Sequence, residues 1–202
     1  LELQGRAKGA ELPETCIVDM RKELMRGNRS VFSDLLKERM SDRLEKGEQT
    51  MLFLNRRGLS GFVSCRSCGY VFKCPHCDVA LSEHTGGILS CHYCGYSTRV
   101  SRKCPECGSE YVSAFKAGTQ RIAREAARLF PKARIIRMDA DTTGTKHSYE
   151  RIISAFANHE ADILVGTQMI VKGHDFHDVT LVGIIAADMS LNSSDFHAAE
   201  RT

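Results

Sequence analysis

The chain has 202 residues, with 28 Lys and Arg against 25 Asp and Glu and a formal net charge of +3. So mild a charge gives no whole-protein argument for nucleic-acid binding. No apolar run approaches the roughly 20 residues that a membrane-spanning helix needs, which argues against a membrane protein. Because the chain begins without Met and ends at Thr202, we expect it to be a piece of a longer protein.

The first quarter of the chain predicts a strand, a helix and a second strand. Residues 15–20 predict a short strand in which Cys16 is buried as a small hydrophobic residue. Residues 33–46 predict a helix with Ser33 as its N-cap. The compact apolar run at residues 50–54 predicts the second strand.

Eight cysteines fall as four Cys-x-x-Cys pairs. The pairs are Cys65/Cys68, Cys74/Cys77, Cys91/Cys94 and Cys104/Cys107. Two cysteines separated by two residues can turn their sulfurs toward one point, and two such turns complete a tetrahedral shell around Zn²⁺. Glycine follows three of the four pairs and permits the positive φ of a tight turn. The spacing therefore predicts two structural Zn²⁺ sites.

The rival interpretation is a disulfide framework, which is typical of short secreted chains with an even number of cysteines. The start of the chain has no apolar signal-peptide run, and the pairs have the spacing of metal ligands, so we favour zinc. His76, His84 and His92 lie among the cysteines and are alternative ligands. Eight thiols already complete two sites, so we expect the histidines to be surface residues.

Loop lengths indicate which pairs share a metal. Five residues separate Cys68 from Cys74, too few for two turns to face one ion. Thirteen residues separate Cys77 from Cys91, enough for a hairpin that brings these two pairs together. We favour this nested arrangement over an interleaved or sequential one. It gives site 1 from Cys65, Cys68, Cys104 and Cys107, and site 2 from Cys74, Cys77, Cys91 and Cys94.

Alternating helices and strands resume after the cysteines. Residues 119–130 and 148–158 predict helices, and residues 133–138, 162–165 and 179–186 predict strands, the last two buried on both faces. Because strands and helices alternate on both sides of the cysteines, we expect an α/β domain with a parallel sheet. The zinc module, residues 61–111, then interrupts a domain made of residues 15–60 and 112–202.

Polar residues follow several of these strands, where open α/β sheets bind ligands. Thr119 is a natural N-cap, and an exposed helix start there can hold a phosphate or be only a capped surface helix. Arg56 and Arg57 suit a nucleic-acid backbone or a solvated turn equally well.

The loop at residues 166–175 has a similar character. Gly166 and Gly173 permit close backbone approach, while Thr167 and Lys172 suit phosphate oxygens. Asp175 can accept hydrogen bonds from a ribose. Spacing alone does not distinguish this from an ordinary loop.

Four stretches, in this order, resemble the PriA family of bacterial primosomal replication-restart helicases. They are residues 53–58 (Phe-Leu-Asn-Arg-Arg-Gly), the four cysteine pairs, residues 137–143 (Arg-Met-Asp-Ala-Asp-Thr-Thr) and residues 165–176 (Val-Gly-Thr-Gln-Met-Ile-Val-Lys-Gly-His-Asp-Phe). The resemblance implies the second RecA-like lobe of a superfamily 2 helicase, with a two-zinc module set into it. Residues 1–14 would then be a linker or the end of the preceding lobe.

The same resemblance implies roles for individual residues. Arg56 and Arg57 correspond to the first motif of the lobe, and Thr119 to a helix start that meets the DNA backbone. Thr167, with Lys172 nearby, corresponds to a phosphate contact. Gly173 and Asp175 correspond to residues that face the nucleotide. The last, arginine-bearing motif of the family would follow Thr202.

For the full-length protein the resemblance implies an ATP-dependent DNA helicase that uses ATP and Mg²⁺ and restarts stalled replication forks in the bacterial cytoplasm, at the nucleoid. Its implied partners are single-stranded and forked DNA, other primosome proteins and single-stranded DNA-binding protein. This chain contains no Gly-x-x-x-x-Gly-Lys-Ser/Thr phosphate loop. We therefore expect it to have no ATPase activity alone.

Two other function classes are compatible with the cysteines alone. One is a stand-alone zinc-ribbon module that binds nucleic acid without ATP, and the other is a protein-docking adaptor. Residues 96–134 contain nine Lys or Arg and three Glu, an excess of six that favours a polyanion, although a solvated face is the ordinary explanation. Neither alternative accounts for the surrounding α/β pattern.

Overall fold

The computed structural model describes residues 12–54, 62–114, 118–167, 170 and 176–188. Four helices and nine strands occur in these segments. In chain order they are α1 (Met20–Met25), α2 (Asp34–Glu45), β1 (Gln49–Leu54), β2 (Val63–Cys65), β3 (Ser82–His84), β4 (Ile88–Ser90), β5 (Ser97–Arg99), β6 (Val112–Ala114), α3 (Thr119–Leu129), β7 (Ile135–Met138), α4 (Ser148–Ala157), β8 (Ile163–Gly166) and β9 (Val179–Ile185).

Strands β7, β8, β1 and β9 form, in that order, one parallel sheet. In the interior strand β1, Thr50 lies between Ile163 of β8 and Leu181 of β9. The chain leaves β1, passes through the cysteine region and returns through α3 to β7 at the far edge. The parallel α/β fold predicted from the alternating elements is therefore confirmed.

Helices cover both faces of this sheet. On one face, Met40 of α2 and Ile122 of α3 are fully buried in a cluster with Leu52 of β1. On the other face, Phe156 of α4 packs in a cluster with Leu164 of β8. These two layers bury β8 along its whole length. No helix among the described segments has both the length and the apolar composition to cross a bilayer.

Helix α2 shows why its boundaries were predictable from sequence. The Ser33 hydroxyl accepts the N–H of Leu36 at 3.1 Å and caps the start of the helix. At the other end, Gly47 adopts a φ of +71°, which a residue with a side chain adopts only with strain. The helix predicted at residues 33–46 is confirmed to within one residue at each end.

The predicted strand at residues 15–20 is wrong. Residues 15–19 have no regular structure, and α1 begins at Met20. The reason is local, because the Asp19 carboxylate accepts the N–H of Arg21 at 2.9 Å and caps a helix. Cys16, which we expected to be buried, is exposed.

Strand β9 is buried on one face only, so the prediction of burial on both faces is also wrong. Val182 and Ile184 are 55 % and 59 % exposed, whereas Gly183 between them and Ile185 at the strand end are buried. The cause is position in the sheet. β9 is the edge strand beside β1, and α4 packs against β7 at the opposite edge.

The cysteine region forms two small antiparallel sheets that are separate from the parallel sheet. One pairs β2 with β6, and the other contains β3, β4 and β5 in sequential order. Val63 and Leu89 are fully buried in one cluster with Cys74 and Cys91. A region this small has few apolar residues to bury, so the metal-ligand geometry must contribute to its stability.

Candidate functional site

The four Cys-x-x-Cys turns share one backbone geometry. In each, the N–H of the first cysteine donates to the carbonyl five residues later at 2.8 Å. Its carbonyl accepts the N–H of the residue four positions on, at 2.8 to 3.0 Å. That residue has a positive φ in every turn, and it is Gly69, Asp78, Gly95 or Gly108. The turn thus explains three of the glycines in the sequence and shows that Asp78 takes the same role in the fourth.

This geometry gives a matched pair of substitutions within site 2. Gly95 has a φ of +73° and open space where a Cβ would lie, so Gly95→Ala introduces backbone strain without a clash. We expect a loss of about 1 kcal/mol in the stability of the zinc-bound module. Asp78→Gly relieves strain of the same kind at φ +53° and should change it by less than about 0.5 kcal/mol.

Chelator titration at site 2 measures both variants against the parent chain. We expect the Asp78→Gly chain to resist the chelator about as well as the parent, and the Gly95→Ala chain to lose its zinc more easily. Equal resistance in the two variants would contradict the strained-turn interpretation.

The eight sulfurs form two groups of four. Within each group all sulfurs lie within 4.8 Å of one another, and the grouping is the nested one: Cys65, Cys68, Cys104 and Cys107, then Cys74, Cys77, Cys91 and Cys94. The Cys65–Cys107, Cys68–Cys104 and Cys74–Cys94 sulfur pairs are each 3.6 Å apart. A tetrahedron with Zn–S bonds of about 2.3 Å has edges of roughly 3.8 Å, whereas a disulfide needs about 2.05 Å. Both donor sets therefore fit Zn²⁺, and the eight thiols are not cross-linked.

The histidines of this region lie outside both groups of sulfurs. His76 packs edge to face against Tyr96, with ring centroids 5.4 Å apart. His84 packs in the same way against His92, at 5.3 Å. Within the described segments neither metal group includes a histidine.

One thiol of each group ionises near neutral pH. The amide of Cys94 donates to the Cys91 sulfur and lowers the pKa of that thiol to about 7. Burial raises the pKa of the Cys65 thiol, but amides of Cys68 and Ser67 donate to its sulfur and bring the pKa down to about 7. In each group, backbone N–H donors thus favour the thiolate form, which is the form that binds a metal ion.

The turns of site 1 contact α1 and the connection between α1 and α2. The Arg66 guanidinium, inside the first turn of site 1, donates to the carbonyls of Arg29 and Ser30 at 3.2 and 3.3 Å. Arg29 returns the contact by donating to the Tyr111 hydroxyl at 2.9 Å and stacking over its ring. Arg21 donates to the carbonyl of Cys68 at 3.4 Å.

Residues 28–33, two of whose carbonyls accept hydrogen bonds from Arg66, also contact α3. The Ser30 hydroxyl donates to the Glu125 carboxylate at 2.6 Å, and the N–H of Val31 donates to the same oxygen at 3.3 Å. Residues 28–33 therefore connect site 1 to the helix that begins at the carboxyl edge of the sheet. Sequence reasoning missed this connection, because Arg66 and Glu125 are isolated charged residues with no distinguishing pattern.

At the carboxyl edge of the sheet, Thr119 is not the N-cap that the sequence suggested. Gly118 takes that position without a side-chain cap. The Thr119 side chain is buried, and its hydroxyl donates to the Asp139 carboxylate at the end of β7. Burial raises the pKa of Asp139, but hydrogen bonds from Thr119 and the N–H of Thr142 outweigh it and lower the pKa. Asp139 therefore fixes the start of α3 against β7.

Gly166 and Thr167 lie at the end of β8, on the same edge. A Cβ on Gly166 would lie 2.5 Å from Ile170 Cγ2 and 2.7 Å from the carbonyl oxygen of Met138, so only glycine fits. The half-buried Thr167 accepts the N–H of Ile170 at 3.0 Å through its carbonyl. The other predicted contacts lie outside the described residues; they are Arg56, Arg57, Lys172, Gly173 and Asp175.

Comparison with known proteins supplies the family. Residues 74–99 match the family profile described as the PriA DNA helicase Cys-rich region (CRR) domain. The replication restart protein PriA of Bacillus subtilis (strain 168) is 52 % identical over 203 residues, covering 100 % of this chain and 25 % of that protein. The proteins of the same name from Synechocystis sp. and Rickettsia prowazekii are 48 % and 39 % identical, over 100 % and 99 % of this chain and 25 % and 31 % of their own lengths. Matching these proteins from end to end over a quarter to a third of their length, the chain belongs to the PriA family as a segment of it.

Proposed function

We propose that this chain is the second RecA-like lobe of an ATP-dependent superfamily 2 DNA helicase that restarts stalled replication forks, with a zinc module inserted after β1. The observation that carries the proposal is the carboxyl edge of the parallel sheet. There the start of α3 at Gly118, the buried Asp139 and the Gly166–Thr167 turn come together. Open parallel sheets bind their ligands at this edge.

Both metal groups are structural Zn²⁺ sites in this proposal. All eight candidate ligands are cysteine sulfurs, four for each ion, which leaves no open coordination position for catalysis. Bound zinc supplies folding free energy to a region with a small core. The chain's own contribution is the set of hydrogen-bonded backbone turns that direct the four sulfurs of each group toward one point.

Nucleic acid and nucleotide share the carboxyl edge. Arg56, Arg57, Thr167 and Lys172 would contact phosphates of the tracked strand, with the start of α3 beside them. Since the Thr119 hydroxyl is bound to Asp139, Thr119 would offer its backbone N–H to a phosphate. Gly173 and Asp175 would face ATP and Mg²⁺ held between this lobe and a preceding one, and cleft closure would move the lobe along DNA.

The full-length protein would act in the bacterial cytoplasm, at the nucleoid, on single-stranded and forked DNA. Its protein partners would be other primosome proteins and single-stranded DNA-binding protein. The similarity to replication restart proteins supports this setting. The chain alone lacks a phosphate-binding Gly-x-x-x-x-Gly-Lys-Ser/Thr loop, so we expect no magnesium-dependent ATP turnover from it.

Anisotropy titration of labelled oligothymidylate with the zinc-loaded chain tests the DNA contact. We expect the double variant Arg56→Ala/Arg57→Ala to bind about tenfold more weakly and to lower the salt slope by about two, since each phosphate contact contributes about one. Arg128→Ala, which removes one exposed arginine in the last turn of α3, is the control and should bind like the parent.

Parent-like affinity and salt slope in the double variant would contradict the proposal that DNA binds at the carboxyl edge of the sheet. That result would favour the alternative function, a zinc-ribbon nucleic-acid-binding module without ATPase activity. ATP turnover by the purified chain, measured as magnesium-dependent phosphate release, would contradict the two-lobe mechanism directly.

A further inference from the structure

Asp139 directly follows β7 at the carboxyl edge of the sheet, and it is buried. Its Oδ2 accepts the Thr119 hydroxyl and lies 3.3 Å from the Arg137 guanidinium. Its Oδ1 accepts the N–H of Thr142 at 3.0 Å. Donors from α3, β7 and the loop after β7 therefore meet at one carboxylate. Because both of its oxygens are engaged, this carboxylate binds the chain itself and is not a contact for nucleotide or Mg²⁺.

The residues after Asp139 are closed onto its backbone. The Asp139 carbonyl accepts the N–H groups of Thr142 and Thr143 at 3.1 and 3.0 Å, and their hydroxyls at 3.1 and 2.7 Å. The Asp139 N–H donates to the Thr142 hydroxyl at 2.9 Å. These contacts fix the carboxylate at the end of β7. They also account for both threonines of residues 137–143, a stretch for which the sequence indicated no role.

Asp139 connects the start of α3 to the end of β8. Met138, the last residue of β7, lies opposite Gly166, the last residue of β8. The next residues on these two neighbouring strands are Asp139 and Thr167. The N–H groups in the first turn of a helix have no partner within the helix, and the bond from Thr119 to Asp139 holds that turn of α3 in place. The position of these N–H groups relative to Thr167 is therefore set through Asp139.

We propose that Asp139 is a positioning residue for the bound DNA strand, which touches no phosphate itself and holds the start of α3 in place beside Thr167. Without this contact, the first turn of α3 would have to be ordered when the strand binds, and that ordering lowers affinity. The inference rests on the proposed function and gives a buried residue a role within it.

Direct contact between the Thr119 hydroxyl and DNA is the competing explanation. A double-mutant cycle on Thr119→Val and Asp139→Ala separates the two, because residues that act through one contact give losses that do not add. Valine keeps the branched shape and the backbone N–H of Thr119 and removes only the hydroxyl. Thr119→Ser is the conservative variant, since it keeps a hydroxyl.

Anisotropy titration of labelled oligothymidylate measures the affinity of each zinc-loaded chain, and urea unfolding measures its stability. The control is Gln49→Leu, at the start of β1 and so at the opposite edge of the sheet. It removes two buried hydrogen bonds, each 2.8 Å long, to the carbonyls of Phe156 and Ala161. Its unfolding midpoint should fall, as that of Thr119→Val should, but its affinity for oligothymidylate should match that of the parent.

We expect Thr119→Val and Asp139→Ala each to bind about tenfold more weakly than the parent, the scale on which one hydrogen bond to a charged group contributes. The double variant should bind no more weakly than the weaker of the two single variants. Thr119→Ser should recover most of the affinity that Thr119→Val loses.

Parent-like affinity of the Thr119→Val chain would overturn this inference, as would an additive loss of about a hundredfold in the double variant. An equal loss of affinity in the Gln49→Leu chain would also overturn it, because the effect would then be one of general stability. If the Asp139→Ala chain does not fold, the comparison of Thr119→Val with Thr119→Ser and Gln49→Leu decides alone. The proposed function would survive these results as long as Arg56→Ala/Arg57→Ala still weakened binding, whereas absence of binding by the parent chain would overturn both proposals.

Discussion

Cys65→Ser will loosen the parallel-sheet domain, whereas Cys74→Ser will not. Both cysteines are buried, and both are the first of their pair with the same backbone turn, so the two variants are matched. Each variant loses one zinc site. The apparent binding free energy of a structural Zn²⁺ is of order 10 kcal/mol. Arg66 lies in the first turn of site 1 and donates to two carbonyls of residues 28–33. The same residues contact Glu125 of α3, so the loss of site 1 should also loosen α3.

Amide hydrogen exchange measures the difference. In the Cys65→Ser chain we expect residues 28–33 and α3 to exchange about tenfold faster or more, because each hydrogen bond from a charged donor contributes roughly 1.5 to 3 kcal/mol. In the Cys74→Ser chain these segments should exchange as in the parent, with fast exchange confined to the three-stranded sheet of β3, β4 and β5.

Arg66→Ala is the control that keeps both metals. It should retain two zinc ions and still speed exchange in residues 28–33, because the lost contacts are its own. Equal exchange of α3 in the Cys65→Ser and Cys74→Ser chains would show that site 1 does not support the lobe.

Gly166→Ala will destabilise the sheet where β8 ends. The added methyl would lie 2.7 Å from the carbonyl oxygen of Met138 on β7 and 2.5 Å from Ile170, and the first of these atoms belongs to the backbone. Overpacking of this kind costs about 1 to 3 kcal/mol. Because the strands are paired there, relief requires the β7–β8 register or the following turn to shift.

Urea unfolding of Gly166→Ala and Gly144→Ala isolates the steric effect. Gly144 is exposed, and a Cβ there would lie 3.8 Å from the nearest atom, the Ala140 oxygen, at ordinary contact distance. We expect a lower unfolding midpoint for the first variant and a change of less than about 0.5 kcal/mol for the second. Coinciding midpoints would mean that the edge of the sheet accommodates a side chain.

Sequence reasoning succeeded where the cause of a feature is local. The α2 boundaries follow from Ser33 and Gly47, which act within one turn of the helix. The grouping of the cysteines follows from the lengths of the loops between the pairs, since the β3–β4 hairpin spans Cys77 to Cys91. The parallel sheet follows from strands and helices that alternate along the chain.

Features set by partners distant in sequence were not predictable. An apolar run such as β9 does not reveal whether a helix covers one face or both, and its edge position exposes Val182 and Ile184. The role of Thr119 depends on Asp139, which is 20 residues away in the sequence. The Thr119 hydroxyl donates to the Asp139 carboxylate and therefore does not cap α3. The docking of Arg66 depends on carbonyls 36 and 37 residues away.

Zinc K-edge absorption of the purified chain, with its metal content, tests most directly whether a metal-held module lies within this domain. We predict two zinc ions per chain, each with four sulfur neighbours at about 2.3 Å and no nitrogen. A metal-free chain whose mass is lower by eight hydrogens, as four disulfides require, would contradict the account. Nitrogen in the shell would mean that His76, His84 or His92 replaces a cysteine, against the geometry of both sulfur groups.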